Sequence, residues 1–305
     1  MASITNSYET LERSKTMNLK ALRCCVEISR QGSFTKAAQS LHIAQPALSM
    51  AVTRLEEELG VMLFNRAGRQ VHPTSEGARF LARVECALHE LDTARQELRD
   101  LVDLHSGEVR LGVPPMFGLN YLPTLLSAFR QRYPGITMTV VEGSADDISK
   151  QLECREIDLA LLESRRVTPA WESVMLGQDE MVLCMHTDHP LATRPHLEPE
   201  DLADVEMVLF DRSFLQRHLL DQFVANGGVR YRMAMQSNFV SLVVEAVRQR
   251  VGVATLLRSV QQSTPGVVGV PFKPSQQMSF RLCWRQGEYL SLAARRFTDY
   301  VREAN

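Results

Sequence analysis

The sequence predicts an α/β protein with a small all-α domain near its N-terminus, one long helix, and a C-terminal domain of two α/β lobes. Apolar residues recur at helical spacing from 19 to 59, and an apolar seam continues from 81 to 102. After 107, short apolar runs alternate with amphipathic segments. A chain of 305 residues with 45% hydrophobic content is long enough to build more than one core.

The first predicted helix follows a polar leader. Residues 1–16 have little apolar content and no clear period, so we expect a flexible segment. Leu19, Leu22 and Val26 then fall on one helical face. The helix is expected to end at Gly32, because glycine favours helix termination.

A helix-turn-helix motif is predicted next. Ser33 can cap a short second helix, in which Ala37 and Ala38 allow another helix to cross closely. After a tight turn at 42–44, Pro46 suits the first turn of a third helix. The apolar face of this third helix carries Leu48, Val52, Leu55 and Leu59.

A wing completes the N-terminal domain in this interpretation. Residues 61–64 and 70–72 are expected to pair as a short ribbon around the basic tip at 66–69. The tip suits a phosphate backbone. The winged helix-turn-helix is therefore predicted over 17–74.

The long helix is predicted over 75–106. Thr74 or Ser75 caps it, and Glu76 lies near its positive end. The helix either packs on its own domain or dimerises, and the length of the seam favours dimerisation. The predicted dimerisation residues are Leu81, Val84, Leu88, Leu91 and Leu98.

The C-terminal domain is predicted over 107–305. Its first set of elements, strands at 109–113, 136–141 and 157–162 with helices at 119–132 and 146–155, reads as parallel α/β. A second set has strands at 181–185, 207–210, 233–235 and 253–256 and helices at 214–225 and 239–250. The strand 279–284 and the helix 290–303 are expected to return to the first set. Lobe I would comprise 107–178 and 281–305, and lobe II 179–280, with a ligand cleft between them.

Charge and cysteine content narrow the classes of function. The net charge is −2, but residues 17–79 carry eight basic and five acidic residues, which gives +3 there and −5 elsewhere. This asymmetry favours phosphate contact at one end. The six cysteines show no zinc-type spacing, so buried thiols are expected, with a redox-sensing pair as the alternative. Without a secretory pattern or a membrane-length apolar run, we expect a cytoplasmic protein with no metal and no cofactor.

The chain carries a set of motifs in a fixed order. They are GSFTKAAQSLHIAQPALSMAVTRLEEELGVMLFNR and HPTSEG within residues 19–77, followed by YPGI, EIDLALLE and DHPLA. In these motifs the chain resembles the LysR-type transcriptional regulators over residues 17–305. The resemblance implies a C-terminal domain like the type 2 periplasmic binding proteins, and a homotetramer built as a dimer of dimers. It also implies an interrupted palindromic operator in double-stranded DNA, contact with RNA polymerase, and a small-molecule effector that controls DNA binding or bending.

The expected DNA contacts follow from residue type and position. Polar side chains on the outward face of the third helix suit base edges, and Gln45 is the main candidate for a base contact. Hydroxyl and basic residues around it suit phosphates. Met50 stands where the family often has a polar or basic residue, which favours apolar contacts or DNA shape. The predicted DNA-binding residues are Ser33, Thr35, Lys36, Gln45, Pro46, Ser49, Thr53, Arg54, Arg66 and Arg69.

The expected effector contacts lie at strand ends and helix N-termini, where free N–H groups favour an anion. Met116 stands where the family often has a hydroxyl residue, which predicts a more apolar cleft on that side. Arg212 either pairs with a carboxylate or is merely solvated, and the segment VLFDRSFLQRHLLDQF resembles members that respond to small carboxylates. The predicted effector-binding residues are Met116, Phe117, Gly143, Ser144, Glu163, Arg212, Ser213, Phe214 and Asn238.

Three other classes of function share features with this chain: an enzyme, a solute-binding protein, and a purely structural or protein-interaction role, which sequence-specific DNA binding would exclude. An enzyme would use His186, Asp188 and His189, or Glu142 with Glu163, yet no nucleophile elbow or phosphate loop accompanies them. A solute-binding protein would share the two lobes but has no use for a helix-turn-helix. The sequence therefore favours a DNA-binding regulator without enzymatic activity.

Overall fold

The structure is a computed structural model that describes residues 17–66, 70–100 and 107–304. The predicted leader at 1–16, the wing-tip residue Arg69 and the linker end at 101–106 lie outside the described residues. The chain divides into two compact units, residues 1–93 and 94–305. The fold of each unit is given separately.

The first unit is helical with a small ribbon. Its elements are α1 (Leu19–Gln31), α2 (Phe34–Ser40), α3 (Gln45–Leu59), β1 (Phe64–Asn65), β2 (His72–Pro73) and the start of α4 (Ser75–Asp100). Gly32, with φ 60°, ends α1, and the turn between α2 and α3 contains His42 with φ 53°. Ala37 and Ala38 are buried where α2 meets its neighbours, which confirms the predicted helix-turn-helix.

The wing is shorter than predicted and begins later in the chain. Phe64 pairs with Pro73 and Asn65 with His72 in an antiparallel ribbon. Next to this ribbon, the Leu63 N–H donates to the Glu56 carboxylate at 2.8 Å, and the Leu63 carbonyl accepts the Thr74 N–H at 2.9 Å. The bounds predicted for the ribbon, 61–64 and 70–72, were wrong, since the described strands are Phe64–Asn65 and His72–Pro73.

Helix α4 begins as the sequence indicates. The Thr74 hydroxyl accepts the Gly77 N–H at 2.9 Å and donates to the Met62 carbonyl at 2.7 Å. A Cβ on Gly77 would lie 2.0 Å from the Leu63 carbonyl oxygen. The glycine of the HPTSEG motif thus permits close packing of α4 on the segment before the wing.

The second unit is built on a mixed six-stranded sheet. Its elements are β3 (Gly107–Val113), α5 (Pro115–Arg132), β4 (Ile136–Glu142), α6 (Ala145–Glu153), β5 (Leu159–Glu163), β6 (Trp171–His186), β7 (Glu206–Leu209), α7 (Leu215–Asn226), β8 (Arg232–Gln236), α8 (Val240–Arg248), β9 (Ala254–Leu257), α9 (Arg258–Gln262), β10 (Val267–Arg285) and α10 (Leu292–Ala304). The strand order is β4-β3-β5-β10-β6-β9, with β7 and β8 as a separate parallel pair. Strands β3, β4 and β5 are parallel, as predicted for the first set.

Two strands are much longer than predicted. β6 has 16 residues and β10 has 19, and they pair antiparallel with register shifts at Pro271/Gln276 and Phe280/Arg281. The prediction found only the apolar parts, because polar residues interrupt the hydrophobic pattern where the strands cross from one lobe to the other. The return of the last strand to the first set is confirmed, since β10 also pairs with β5.

The core lies on both faces of the sheet. All five residues of β5 are buried, Leu159 and Leu161 in the larger core and Ala160 and Leu162 in the smaller one. Phe297 of α10 meets Phe129 of α5 edge to face at 4.9 Å, which fixes the last helix on lobe I. None of the helices that the structure describes is long and apolar enough to cross a membrane.

Candidate nucleic-acid interface and ligand cleft

Helix α3 presents a polar face opposite its apolar one. Gln45, the first residue of the helix, is exposed, as are Pro46 and Arg54, whereas Ser49 and Thr53 are half-buried. Met50 is exposed on the same part of the helix, an apolar side chain with no core role. The opposite face, Leu48, Val52 and Leu55, is buried. This polarity leaves the predicted base-reading residues accessible to a major groove.

The start of α2 adds hydroxyl and basic groups. The Ser33 hydroxyl caps the helix by accepting the Lys36 N–H at 3.4 Å. The side chains of Thr35 and Lys36 are exposed. Ser33 therefore has a structural role of its own, while Thr35 and Lys36 remain accessible to phosphates.

Arg66 is held in place at the base of the wing. Its Nη2 donates to Oε2 of Glu56 at 2.6 Å, and its guanidinium lies 5.1 Å from the centre of the Phe34 ring. The other oxygen of Glu56 accepts the N–H groups of Leu63 and Phe64, at 2.8 and 3.2 Å. Glu56 is only 4% exposed. The role of Glu56 was not predicted, because it is one of three consecutive acidic residues and the sequence does not show which of them is buried.

The predicted dimerisation seam is split by burial. Leu81, Val84 and Leu88 pack into the core of the first unit with α1 and α3, as in the alternative in which the helix packs on its own domain. Ion pairs Arg23–Asp92 and Arg30–Glu85 also tie α4 to α1. Leu91 and Leu98 remain 41% and 66% exposed. Only these two of the predicted residues are accessible to a second chain.

A cleft of about 580 Å³ opens where strands and helices of the second unit meet end to end. Lobe I contributes the ends of β3 and β4, and the other side consists of the N-terminal residues of α7 and α8. Its lining residues are Val113, Pro114, Pro115, Val140, Glu142, Gly143, Phe214, Asn238, Phe239, Val240 and Ser241. This is the arrangement predicted for a ligand between two lobes.

Hydrogen bonds hold the polar groups on the α8 side of the cleft. Oδ1 of Asn238 accepts the Asp211 N–H at 2.9 Å, which leaves the Asn238 amide N–H groups for another acceptor. The Ser237 hydroxyl accepts the Phe239 N–H at 3.2 Å. Backbone and side-chain hydrogen bonds from Ser213 lower the pKa of the Asp211 carboxyl.

The cleft receives three of the predicted effector residues, Gly143, Phe214 and Asn238. Met116 and Phe117 instead line a separate cavity of about 200 Å³ beside the crossing strands, together with Tyr121 and Phe280. Their assignment to the cleft was wrong, because α5 starts at Pro115 and the next two side chains turn away from the strand end. Glu142 and Phe239, which flank the predicted effector residues, also line the cleft.

The remaining predicted effector residues have other partners or face solvent. Ser144 caps α6 by accepting the Asp147 N–H at 3.2 Å, and Glu163 pairs with Arg165 at 2.9 Å. Both are buried outside the described lining of the cleft. Arg212 and Ser213 are exposed in the turn before Phe214. That turn is next to the cleft, so Arg212 can still meet a ligand at its mouth.

The groups that an enzyme would need do not converge. Nδ1 of His186 lies 3.6 Å from the Asp188 carboxylate, and His189 accepts the Leu191 N–H, both in the turn after β6. Neither lines the cleft that contains Glu142. Among the described residues, no group of three metal-ligating side chains is present.

The buried thiols are not activated. Burial raises the pKa of Cys25 to about 12 and that of Cys283 to about 12. Burial also raises the pKa of Cys24 and Cys184. These four cysteines are core residues, as expected. The expectation of a buried thiol was wrong for Cys86 and Cys154, which are half-buried and disulfide-bonded.

Comparison with known families and relatives agrees with both halves of the chain. Residues 19–78 match the bacterial regulatory helix-turn-helix of the lysR family, and residues 103–305 match the LysR substrate binding domain. The transcriptional activator protein LysR of Escherichia coli is 28% identical over 85% of this chain and 86% of its own length. A probable RuBisCO transcriptional regulator of Cyanophora paradoxa is 31% identical over 78% of this chain and 75% of its own length.

Solved structures share the fold. The crystal structure of CbnR, a LysR family transcriptional regulator, has a TM-score of 0.70 at 20% identity and covers 94% of this chain and 99% of its own. A full-length OxyR variant from Pseudomonas aeruginosa has a TM-score of 0.67 at 22% identity, over 94% of this chain and 95% of its own. The two-part architecture is therefore common to full-length regulators of this kind.

Proposed function

Because the chain belongs to the LysR family of bacterial transcriptional regulators, we propose that it binds an interrupted palindrome in double-stranded DNA and that a small carboxylate in the cleft controls this binding or the bending of the DNA. DNA binding is assigned to residues 17–74, oligomerisation to 75–106, and effector binding to 107–305. The assembly is proposed to be a homotetramer that contacts RNA polymerase.

The exposed polar face of α3 supports the DNA-binding part most directly. Gln45 is proposed to contact a base edge from the helix start, with Ser49, Thr53 and Pro46 beside it. Met50 is proposed to meet a thymine methyl group. The proposed phosphate contacts are Ser33, Thr35, Lys36, Arg54, Arg66 and Arg69.

The effector part rests on the cleft. The first-turn N–H groups of α8 and the free amide hydrogens of Asn238 are donors suited to a carboxylate. Arg212, in the adjacent turn, is proposed to pair with the ligand at the cleft mouth. Leu91 and Leu98 are proposed to pack against a second chain.

Replacing Gln45 tests the proposed base contact. Gln45→Ala should weaken binding to a selected operator by about 1–3 kcal/mol and leave binding to scrambled DNA unchanged, measured by fluorescence anisotropy with the full chain. Gln39→Ala, at an exposed residue of the same type near the end of α2, is the matched control and should change neither.

Lys36 gives the opposite pattern. Lys36→Gln should weaken binding to both DNAs and lower the slope of log affinity against log salt by about one.

Equal losses on operator and scrambled DNA from Gln45→Ala would contradict the assignment of Gln45 as a base contact.

A further inference from the structure

We propose that the cleft ligand carries an amino group as well as a carboxylate, with Glu142 as the partner of the ammonium and an apolar side chain filling the rest of the cleft. The ligand class is that of a zwitterionic apolar amino acid. This inference rests on the proposed function, in which this cleft is the effector site.

Charge in the cleft carries the argument. Glu142 is the only charged residue among the described residues that line it. Its carboxylate makes no hydrogen bond or ion pair with the described part of the chain, in contrast to the nearby acids Asp146 and Glu163, which pair with Arg166 and Arg165. Although Glu142 is exposed, a ligand with carboxylates alone would place a like charge in the same cleft. An ammonium group removes that conflict.

Two aromatic side chains line the same cleft on the side of the other lobe. Phe214 and Phe239 both line the cleft, and Phe239 is 75% exposed although it is a large aromatic side chain. An exposed ring in the same cleft as an unpaired carboxylate suits an ammonium ion, because the ring face attracts cations. The same rings and the apolar residues Val113, Val140 and Val240 suit an apolar side chain.

The donors for the carboxylate lie on the same lobe as the two rings. Asn238 is oriented by the Asp211 N–H, so its amide hydrogens are available, and the hydroxyl of Ser241 also lines the cleft. Donors on one lobe and an acceptor on the other would let a zwitterion bridge the two lobes. A ligand with only an ammonium group or only a carboxylate would make such a polar contact with one lobe only.

Binding to the full chain tests the proposal with matched compounds. Each of the apolar amino acids leucine, isoleucine, valine, methionine and phenylalanine is compared with its deaminated carboxylate by isothermal titration calorimetry. At least one amino acid should bind about tenfold more tightly than its deaminated partner, the factor that a charge-assisted hydrogen bond of about 1.4 kcal/mol provides.

Glu142→Gln should remove that preference, and it should raise rather than lower the affinity for the deaminated carboxylate, because the like charge is lost. Glu153→Gln, which removes an exposed carboxylate of α6 outside the cleft lining, is the matched control and should keep the preference. Tighter binding of deaminated carboxylates than of every amino acid would overturn the inference and leave the carboxylate effector intact. Binding of neither class overturns both ligand assignments, while operator binding, measured separately, still tests the regulator.

Discussion

Glu56 is the residue whose replacement tests the account of the wing most sharply. Its carboxylate joins α3 to the start of the wing through two backbone N–H groups and Arg66. Glu56→Gln keeps the shape but puts an amide NH₂ group against either the Arg66 guanidinium or the backbone N–H groups. In either orientation, donors face donors at a site that is 4% exposed.

The expected cost is about 2 kcal/mol. Breaking a fully buried ion pair costs about 3–5 kcal/mol, but the Arg66 side chain is 37% exposed and can regain water, so the lower range of about 1.5–3 kcal/mol for a charged hydrogen bond applies. Hydrogen exchange of the Leu63 and Phe64 amides reports this directly. Their protection should fall roughly thirtyfold.

Glu57→Gln is the matched control, because Glu57 is the exposed neighbour of Glu56 on α3. It should leave the protection of both amides unchanged. If Glu56→Gln altered protection by no more than this control, the inference that one carboxylate fixes the wing would be refuted. Operator affinity should fall in parallel, since Arg66 and the wing lose their position.

Three further changes follow from the structure. Gly77→Ala should lower the free energy of unfolding of the first unit by about 1–3 kcal/mol in urea, because the new Cβ would overlap the Leu63 carbonyl oxygen. An unchanged free energy of unfolding would contradict the close packing of α4 on Leu63. Leu91→Asp with Leu98→Asp should reduce the oligomer mass by light scattering without loss of helical signal, and an unchanged mass would exclude these residues from the interface. Cys25, with a pKa of about 12, stays protonated at pH 8 and should resist iodoacetamide until the protein unfolds; labelling of the native protein at the rate of a free thiol would contradict its burial.

Local sequence signals predicted the N-terminal domain well. Gly32, Ser33 and Pro46 mark helix boundaries by their backbone preferences, and the structure follows them. The strand bounds of the wing were predicted wrongly, and the hydrogen bonds from the Leu63 and Phe64 N–H groups to Glu56 on α3 were not predicted. Tertiary hydrogen bonds of this kind leave no local pattern.

The seam of α4 shows a second limit. The spacing of Leu81, Val84 and Leu88 is the same whether the helix packs on its own domain or on another chain, so periodicity could not separate the two. The burial of these three side chains shows that they pack on their own domain. Leu91 and Leu98 continue the seam beyond that core and are exposed.

The sequence predicted that strand ends form part of the cleft, but it did not predict which side chains line it. Gly143, Phe214 and Asn238 were found, whereas Met116 is turned into the other cavity by the start of α5. Glu142 follows a strand as an ordinary polar end residue, and nothing in the sequence shows that it has no partner. That property depends on the three-dimensional positions of the arginines.

Selection of bound fragments from the organism's genomic DNA by the purified full chain, at a stated salt concentration, is the most direct test of the central claim. We expect the wild-type chain to enrich one interrupted palindrome and Gln45→Ala to reduce that enrichment. Uniform recovery of fragments by the wild-type chain, both alone and with the amino acids and carboxylates named above, would contradict sequence-specific regulation.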